Sequence, residues 1–420
     1  MAKILLNRDQ RLSITVLLIN PFYSFPILTT YIQSLAKNTI ERIRFIELPQ
    51  DQTPPKSNPK APITSFYEFI NTHCKYVRNI VADMINLNQT GSSKVVGFVV
   101  DILCVGTIDV ANEFNVPTYV FFTANSAYLG FNLFIERLFV DQKQDVIEMS
   151  NSEGEMVVPW FVNPVSMKVV RTVCKIDEGL DVLVYSFREM RKAKGIMVNT
   201  FLELESHAIK SFAYTNFPPV YPVGPVLNLD GVAGKADDSE VLSWLDGQPS
   251  SSVVVLCFGS MGCFNEVQVK EIARGLERSG QRFVWSLRRP ALLEQSLDDP
   301  KVLLPDGFLE RDRETCGLVY TATWPMYAEE QMNAFEMVVE LGLAVDLKMD
   351  YKIDLLNPDD NIEIVTEVEI ERGIRRLTED NEIRAKVKEM SKLSRATVAE
   401  GGSSYASVGY LVQEIMSNII

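Results

Sequence analysis

The sequence predicts an α/β protein built from two doubly wound domains, and three observations support this prediction. The chain has 420 residues, more than one hydrophobic core usually holds, so two or three domains are expected. Short β-branched runs alternate with longer amphipathic segments in both halves. A polar stretch without periodicity lies between the halves. We therefore predict domains at residues 1–222 and 239–400, a linker at 223–238 and a final helix at 401–420.

In the first half, strands are expected at four short apolar runs. These runs occupy residues 13–19, 43–48, 95–100 and 118–122. Their near-continuous apolar character is typical of parallel strands that are covered on both faces. Residues 63–85 place apolar side chains at three- and four-residue steps, which predicts one long helix.

The second half repeats the same alternation. Strands are expected at residues 253–258 and 282–287, with a helix at residues 265–278 between them. A charged, amphipathic helical region follows at residues 368–399, and glycines end it before the last helix. The two halves are therefore similar in kind, although the sequence shows no internal repeat.

Composition and charge argue against several classes of function. The formal net charge is −14 and the isoelectric point is near 4.9, which disfavours a nucleic-acid partner. No run of about eighteen apolar residues occurs, so no transmembrane segment is expected. The N-terminus is too short and too soon charged for a signal peptide. The six cysteines form no CxxC pair, which favours reduced thiols and a cytoplasmic location.

Familiar catalytic signatures are absent from the sequence. It holds no GxGxxG after a strand, no P-loop, no GxSxG and no HExxH. Its two histidines are His73 and His207, and neither has a second histidine or cysteine at ligand spacing. We interpret both as surface or helix-face residues rather than metal ligands, and we expect no metal site.

Polar residues at the carboxyl ends of predicted strands are the remaining candidates, because ligands of open α/β sheets bind there. Asp101 follows the strand at residues 95–100, and Thr123 follows the strand at residues 118–122. Either side chain could instead cap a neighbouring turn or helix. The sequence leaves both interpretations open.

A turn that contains glycine follows the strand at residues 253–258. Ser260 comes directly after Gly259, and Asn265 with Gln268 resembles a capping box. Glycine allows a ligand to approach the backbone, and the N–H groups at a helix start attract phosphate. A plain strand-to-helix turn is the alternative, and the acidic net charge requires any attraction of an anion to be local.

Several short phrases stand in a fixed order along the chain. They are VNTFLELE at 198–205, YPVGP at 221–225, WLDGQP at 244–249, FGSMG at 258–262, LPDGF at 304–308, WPMYAEEQ at 324–331 and GGSSY at 401–405. Through them the chain resembles, over nearly its whole length, the plant family-1 UDP-dependent glycosyltransferases. The resemblance implies a GT-B fold, in which two Rossmann-like domains face a cleft and the last helix returns to the first domain. Both domains are expected to be incomplete here.

The resemblance also implies a reaction and a set of site residues. In the family, a sugar passes from a UDP-sugar to a hydroxyl of a small metabolite with inversion, and a histidine paired with an aspartate removes the hydroxyl proton. The matching aspartate is Asp101. The residues that match donor contacts are Thr123, Gly259, Ser260, Trp324, Glu329 and Glu330. For this chain we expect UDP-glucose as donor substrate, a flavonoid, phenolic or terpenoid acceptor, no cofactor, no metal and a monomer.

Three departures from the family pattern bear on activity. By comparison with the family pattern, we expect the first strand and its loop with the catalytic histidine to be missing. A donor-binding segment of the family is also missing, between Tyr320 and Thr321. In the family it carries the tryptophan that stacks on uracil, the phosphate-binding HCGWNS phrase and a ribose-binding glutamate. Glu330 stands where a glutamine is usual, which replaces an amide donor by a carboxylate acceptor. We therefore expect weak or no transfer and reduced stability. The alternative is a non-catalytic remnant that binds small apolar ligands or a protein partner.

Overall fold

Each half of the protein contains parallel strands flanked by helices. The computed structural model describes residues 1–20, 40–49, 62–88, 94–174, 179–227, 243–245, 247–249, 252–259, 262–287, 303–305, 308, 321–326, 329–351 and 363–418. Most of the predicted linker at residues 223–238 lies outside the described residues, and so does Ser260.

The strands of the first half lie close to the predicted apolar runs. They are β1 (Ile14–Leu18), β2 (Ile43–Glu47), β3 (Phe98–Asp101), β4 (Thr118–Phe122), β5 (Glu155–Met156), β6 (Val165–Ser166), β7 (Gly195–Val198) and β8 (Val220–Pro222). Strands β3, β4, β7 and β8 pair in that order, and all of them are parallel. Strands β1 and β2 form a separate parallel pair, and β5 and β6 form an antiparallel one. The strand predicted at residues 95–100 begins only at Phe98.

The helices of the first half include one predicted helix that is in fact two. They are α1 (Ala2–Arg8), α2 (Pro62–Thr72), α3 (Cys74–Asn88), α4 (Ile108–Glu113), α5 (Ser126–Val140), α6 (Val146–Ser150), α7 (Met167–Cys174), α8 (Gly179–Met190) and α9 (Ser206–Ser211). The prediction of a single helix at residues 63–85 is wrong, because the chain turns at His73 between α2 and α3. The apolar period continues across this turn, since Ile70 and Val77 are both buried.

Strands β1 and β3 flank the same helix. Leu17 of β1 and Phe98 of β3 belong to one hydrophobic cluster with Val77 of α3. On the other face of the sheet, Ile14 of β1 and Tyr119 of β4 belong to a second shared cluster. The two-stranded pair and the four-stranded sheet therefore form one layer, although no strand within the described ranges pairs with both β1 and β3.

The second half holds two parallel strand pairs. Its elements are β9 (Val253–Leu256), α10 (Glu266–Ser279), β10 (Arg282–Trp285), β11 (Thr321–Thr323), α11 (Glu330–Phe335) with a π-helical turn (Glu336–Glu340), β12 (Ala344–Asp346), α12 (Glu367–Glu379) and α13 (Asn381–Val398). Strand β10 pairs with β9, and β11 pairs with β12. Val254 of β9, Ile272 of α10 and Trp324 after β11 share one core cluster. Both pairs therefore enclose the same core, without a ladder between them in the described part of the domain.

The helical region predicted at residues 368–399 is also divided. The Asp380 carboxylate accepts hydrogen bonds of 3.1 and 3.0 Å from the backbone N–H groups of Glu382 and Ile383. Asp380 therefore caps α13 and separates it from α12.

The last helix, α14 (Ser403–Met416), packs against the first half of the chain. Leu411 belongs to a cluster with Leu5 of α1. The Arg8 guanidinium lies 3.7 Å from the centroid of the Tyr405 ring, which adds a cation–π contact between the two helices. Among the helices that the structure describes, none is both long and apolar enough to cross a lipid bilayer.

Candidate active site

Asp101 and Thr123 lie at the carboxyl edge of the first domain's sheet. Strands β3 and β4 are neighbours, and Asp101 is opposite Phe121, so Thr123 follows the end of β4 on the same edge. The Asp101 Oδ1 atom accepts a hydrogen bond of 2.9 Å from the backbone N–H of Leu103 and so caps the 3-10 helix Ile102–Thr107. The capping role is therefore real, and it uses one of the two carboxylate oxygens.

Burial determines the acidity of Asp101. The carboxyl group is half-buried and interacts electrostatically with Tyr67 and Cys104. Burial raises its pKa above the ordinary value, by more than the hydrogen bond from Leu103 lowers it. Burial also raises the pKa of the Cys104 thiol to about 12, so this thiol stays protonated near neutral pH.

Both histidines of the chain make their contacts elsewhere. His73 is fully buried at the turn between α2 and α3, and its Nδ1 atom lies 3.0 Å from the carbonyl oxygen of Phe69. The structure therefore excludes a surface position, one of the two alternatives for His73, the other being a position on a helix face. His207 is exposed on α9, as expected, and its Nε2 atom lies 3.0 Å from the carbonyl oxygen of Pro159. Since the sequence holds only these two histidines, no imidazole of this chain is bonded to Asp101.

Thr123 lies two residues before Asn125, which contacts the second domain. Its side chain is exposed, and the neighbouring Asn125 caps α5 by accepting a hydrogen bond of 2.7 Å from the Tyr128 N–H. The Asn125 side chain also donates a hydrogen bond of 2.9 Å to the Oδ1 atom of Asn333 in α11. Because α11 begins at Glu330, this bond joins the end of β4 to the helix that carries Glu330.

Glu329 and Glu330 stand at the start of α11, and both are half-buried. The Oε2 atom of Glu330 accepts a hydrogen bond of 2.8 Å from the backbone N–H of Met326. Glu329 precedes the helix, and its side chain makes no capping hydrogen bond. Their assignment to the sugar hydroxyls stays a prediction.

The turn after β9 contacts the loop that contains Met326, whose backbone N–H binds Glu330. Gly259 has a φ of 70°, a left-handed conformation that favours glycine. A Cβ atom on Gly262 would lie 2.0 Å from the carbonyl oxygen of Phe258 and 2.8 Å from the sulfur of Met326, so only glycine fits there. The turn with Gly259 and the loop that binds Glu330 thus meet at Met326.

The helix start after this turn differs from the predicted capping box. Asn265 caps α10 by accepting a hydrogen bond of 2.9 Å from the Gln268 N–H. The Gln268 side chain makes no return bond, because it exchanges two hydrogen bonds of 2.8 Å with the backbone of Val365. Ser260 lies outside the described residues, so its contact with the donor stays a prediction.

Trp324 is enclosed in the core of the second domain. The residue is only 9% exposed, and its ring is edge-on to the rings of Phe258 and Tyr351, with centroids 5.8 and 5.6 Å away. Phe264 packs against it at 5.1 Å. These contacts give Trp324 a structural role. A donor contact by Trp324 stays a prediction and draws no support from them.

Carboxylates that the sequence does not single out lie where the domains meet. Glu205 is buried and accepts hydrogen bonds from the N–H groups of Ser126 and Ala127, at 3.0 and 2.7 Å, at the start of α5. Glu336 of the second domain is 7% exposed and interacts with Glu205 and Glu340. Burial raises the pKa of Glu336 to about 9. No local spacing marks this cluster, because Glu205 and Glu336 are far apart in sequence.

Solved structures define the class of protein to which this fold and site belong. A ugt transferase from Siraitia grosvenorii in complex with UDP superposes with a TM-score of 0.83 at 38% identity, over 99% of this chain and 95% of that one. Medicago truncatula UGT71G1 complexed with UDP-glucose gives a TM-score of 0.83 at 33% identity, over 99% of this chain and 94% of that one. The fold is therefore the GT-B fold of plant UDP-dependent glycosyltransferases.

Sequence relatives narrow this class to a family. The profile of the family described as UDP-glucoronosyl and UDP-glucosyl transferase matches residues 20–304. UDP-glycosyltransferase 1 of Panax ginseng is 43% identical over 464 residues, which cover 99% of this chain and 96% of the relative. Anthocyanidin 3-O-glucosyltransferase 1 of Manihot esculenta is 41% identical over 456 residues, which cover 99% of this chain and 98% of the relative. The chain belongs to this family, which confirms the resemblance carried by its motifs.

These alignments are longer than the chain itself. They run over 464 and 456 residues, whereas the chain has 420, so the relatives carry residues without a counterpart here. In the second domain, the pairs β9–β10 and β11–β12 share a core without pairing with each other in the described residues, as expected where a strand between them is lacking. Residues 309–320 lie outside the described residues, so the absence of the donor segment after them stays a prediction.

Proposed function

We propose that this chain transfers a glucosyl group from UDP-glucose to a hydroxyl group of a small apolar metabolite, with inversion at the anomeric carbon. The observation behind this proposal is the hydrogen bond of 2.9 Å between Asn125 and Asn333, which joins the sheet edge of Asp101 and Thr123 to the helix of Glu330. The solved relative with bound UDP-glucose supports the donor, and the anthocyanidin glucosyltransferase supports a phenolic acceptor. Flavonoid, other phenolic and terpenoid hydroxyls form the acceptor class. The comparisons lend no support to a non-catalytic binding remnant.

In this reaction the acceptor side and the donor side of the site have separate tasks. Asp101 stands on the acceptor side, and Thr123, Gly259, Glu329 and Glu330 stand on the donor side. The acceptor O–H bond breaks, the oxygen attacks the anomeric carbon, and UDP leaves with the electrons of the broken bond. The reaction as proposed uses no cofactor and no metal, because UDP-glucose enters as a substrate.

We also propose that the protein works as a monomer in the cytoplasm. The described cysteines Cys74, Cys104, Cys257 and Cys263 are free thiols. Free thiols suit a reducing compartment.

A Glu330→Gln exchange tests the donor-side assignment. The glutamine carbonyl oxygen can still accept the Met326 N–H, and its amide group gains a donor for a sugar hydroxyl. We expect kcat/KM for UDP-glucose, measured by chromatography of the glucoside of 4-nitrophenol, to rise about 2- to 10-fold, the worth of one net hydrogen bond.

The control for this exchange is Glu379→Gln, an acid-to-amide change at an exposed position of α12. It should leave the rate as it is in the wild type. An equal kcat/KM for Glu330→Gln and Glu379→Gln would contradict the placement of Glu330 at the sugar.

A further inference from the structure

We propose that in this chain Asp101 itself accepts the proton of the acceptor hydroxyl, and that the chain therefore selects acceptors with acidic hydroxyl groups. Phenols with electron-withdrawing substituents form this class. This role of Asp101 rests on the proposed function, because it requires transfer from UDP-glucose. It adds the chemical property by which acceptors are chosen.

The placement of Asp101 leaves one carboxylate oxygen for a ligand. Its Oδ1 atom is held by the Leu103 N–H at 2.9 Å, which fixes the side chain at the sheet edge. Within the described residues, no hydrogen bond or ion pair reaches its Oδ2 atom. The residue is half-buried rather than enclosed, so a hydroxyl group can approach it.

Among the residues that the structure describes, no other side chain beside Asp101 takes up a proton readily near neutral pH. In the described part of the chain, the titratable groups that interact with it are Tyr67 of α2 and Cys104 of the 3-10 helix. Burial raises the pKa of both, so both stay protonated. The Tyr67 hydroxyl is also engaged, because it accepts a hydrogen bond of 3.1 Å from Ser186. The two histidines are bonded to backbone carbonyls elsewhere.

Exposed apolar side chains beside Asp101 suit an aromatic acceptor. Val99 lies two residues earlier on β3, hence on the same face, and is 42% exposed. Leu103 is 43% exposed. Large apolar side chains on and beside a parallel strand are normally covered. An apolar ring that covers these two side chains brings its hydroxyl group within reach of the carboxylate.

The chemistry of the step links the base to the choice of acceptor. The acceptor O–H bond breaks and its proton moves to Asp101, while the oxygen bonds to the anomeric carbon and UDP leaves with the electron pair. The proton then passes from Asp101 to solvent. A carboxylate is a weaker base than an imidazole. A well-matched base contributes about 10²- to 10⁴-fold. With the weaker base, the rate of transfer therefore falls as the hydroxyl becomes less acidic.

A series of para-substituted phenols of similar size tests this inference. The 420-residue chain is incubated with UDP-glucose and 4-nitrophenol, 4-chlorophenol or 4-methylphenol, and the glucosides are quantified by chromatography. We expect 4-nitrophenol to react at least about 100-fold faster than 4-methylphenol at the same pH.

An Asp101→Asn exchange identifies the base in the same assay. The asparagine oxygen can keep the cap on Leu103 while the base is removed. We expect a loss of about 100-fold with 4-chlorophenol. With 4-nitrophenol, above the pH at which it ionises unaided, we expect a loss below about tenfold, because no proton then needs to be removed. The control is Asp109→Asn on α4, where the Asp109 carboxylate forms an ion pair of 2.7 Å with Lys192. This exchange should preserve the rates with both phenols.

Each outcome decides the inference. The expected pattern supports it. An equal loss with both phenols in Asp101→Asn overturns it, and so do wild-type rates that do not depend on the acidity of the acceptor. If UDP still binds but no glucoside forms, the role of Asp101 as base is overturned, whereas the binding of the donor is supported. A chain that binds no UDP overturns the proposed function instead.

Discussion

Glu205 is a buried carboxylate that is held by backbone groups, and within the described residues no cationic side chain pairs with it. Two backbone N–H groups at the start of α5 donate to it at 3.0 and 2.7 Å, and the positive end of the helix favours its charged form. Burial nevertheless raises the pKa of Glu205 above the ordinary value. Glu336 faces it from the other domain, and its Oε2 atom has no hydrogen-bond partner within the described residues. Burial and the neighbouring carboxylates Glu205 and Glu340 therefore keep Glu336 protonated near neutral pH, with a pKa of about 9.

We expect Glu336→Gln to stabilise the protein at neutral and alkaline pH. The folded-state pKa of about 9 lies above the ordinary value of 4.5, so the stability that Glu336 contributes is fully present below the ordinary value and is lost as the pH rises toward 9. By about pH 7 the loss amounts to about 3 kcal/mol of the free energy of unfolding. Thermal melts between about pH 5 and pH 9 should show a steeper decline of Tm for the wild type than for the variant.

The matched control for this measurement is Glu153→Gln, an exchange at an exposed position between α6 and β5. It makes the same acid-to-amide exchange without touching the domain interface, so its Tm should follow the wild-type curve. If the curves of the wild type and Glu336→Gln run parallel over the whole pH range, Glu336 is not a buried, protonated group.

At the scale of elements, α11 and its π-helical turn connect the two domains. Phe335 is buried in the core cluster of the first domain, and its ring lies edge-on to Phe161 at 5.3 Å. Farther along, the Glu340 carboxylate accepts hydrogen bonds of 2.8 Å from the N–H groups of Val162 and Asn163. A helix of the second domain is therefore anchored in the first, and this anchor holds the start of α11 at the cleft.

We expect Phe335→Ala to weaken both stability and coupling between the domains. Loss of the buried ring should cost about 3–5 kcal/mol of the free energy of unfolding. Because the ring bridges the domains, differential scanning calorimetry should show two separated transitions. Phe335→Leu keeps most of the volume, so it should cost less than about 1.5 kcal/mol and retain one transition. A single transition with an unchanged midpoint in Phe335→Ala would contradict this role of the helix.

The elements were largely predictable from the sequence, and their breaks were less so. Strands β1, β2, β4, β9 and β10 lie within the predicted apolar runs. The reason is clearest for β4, where four of the five residues are buried, because burial on both faces favours apolar side chains. The break at His73 has neither glycine nor proline, and the apolar period continues across it. The break at Asp380 was readable, since an aspartate before a helix start is a preferred cap.

At the scale of the whole molecule, the site depends on contacts that no local pattern encodes. Asp101 and Thr123 could be assigned to one sheet edge, because neighbouring parallel strands end on the same side. Their connection to Glu330 runs through Asn125 and Asn333, which are 208 positions apart in sequence. The spacing of residues could not reveal this contact. The family's motifs could predict the GT-B fold that creates it.

The layered architecture also bears on stability. In both domains, strand pairs share a hydrophobic core without sharing a hydrogen-bonded ladder in the described residues. Unpaired strand edges leave backbone N–H and C=O groups without partners in a sheet. Reduced stability relative to the family members therefore stays our prediction for this chain.

Isothermal titration of the 420-residue chain with UDP tests the central claim most directly, namely that this scaffold keeps a sugar-nucleotide site between its domains. We predict saturable binding in the micromolar to submillimolar range, which UDP-glucose displaces and which ADP, with the same phosphates on another base, matches only weakly. Absence of any binding heat up to about 1 mM UDP, where binding would be worth only about 4 kcal/mol, would contradict it.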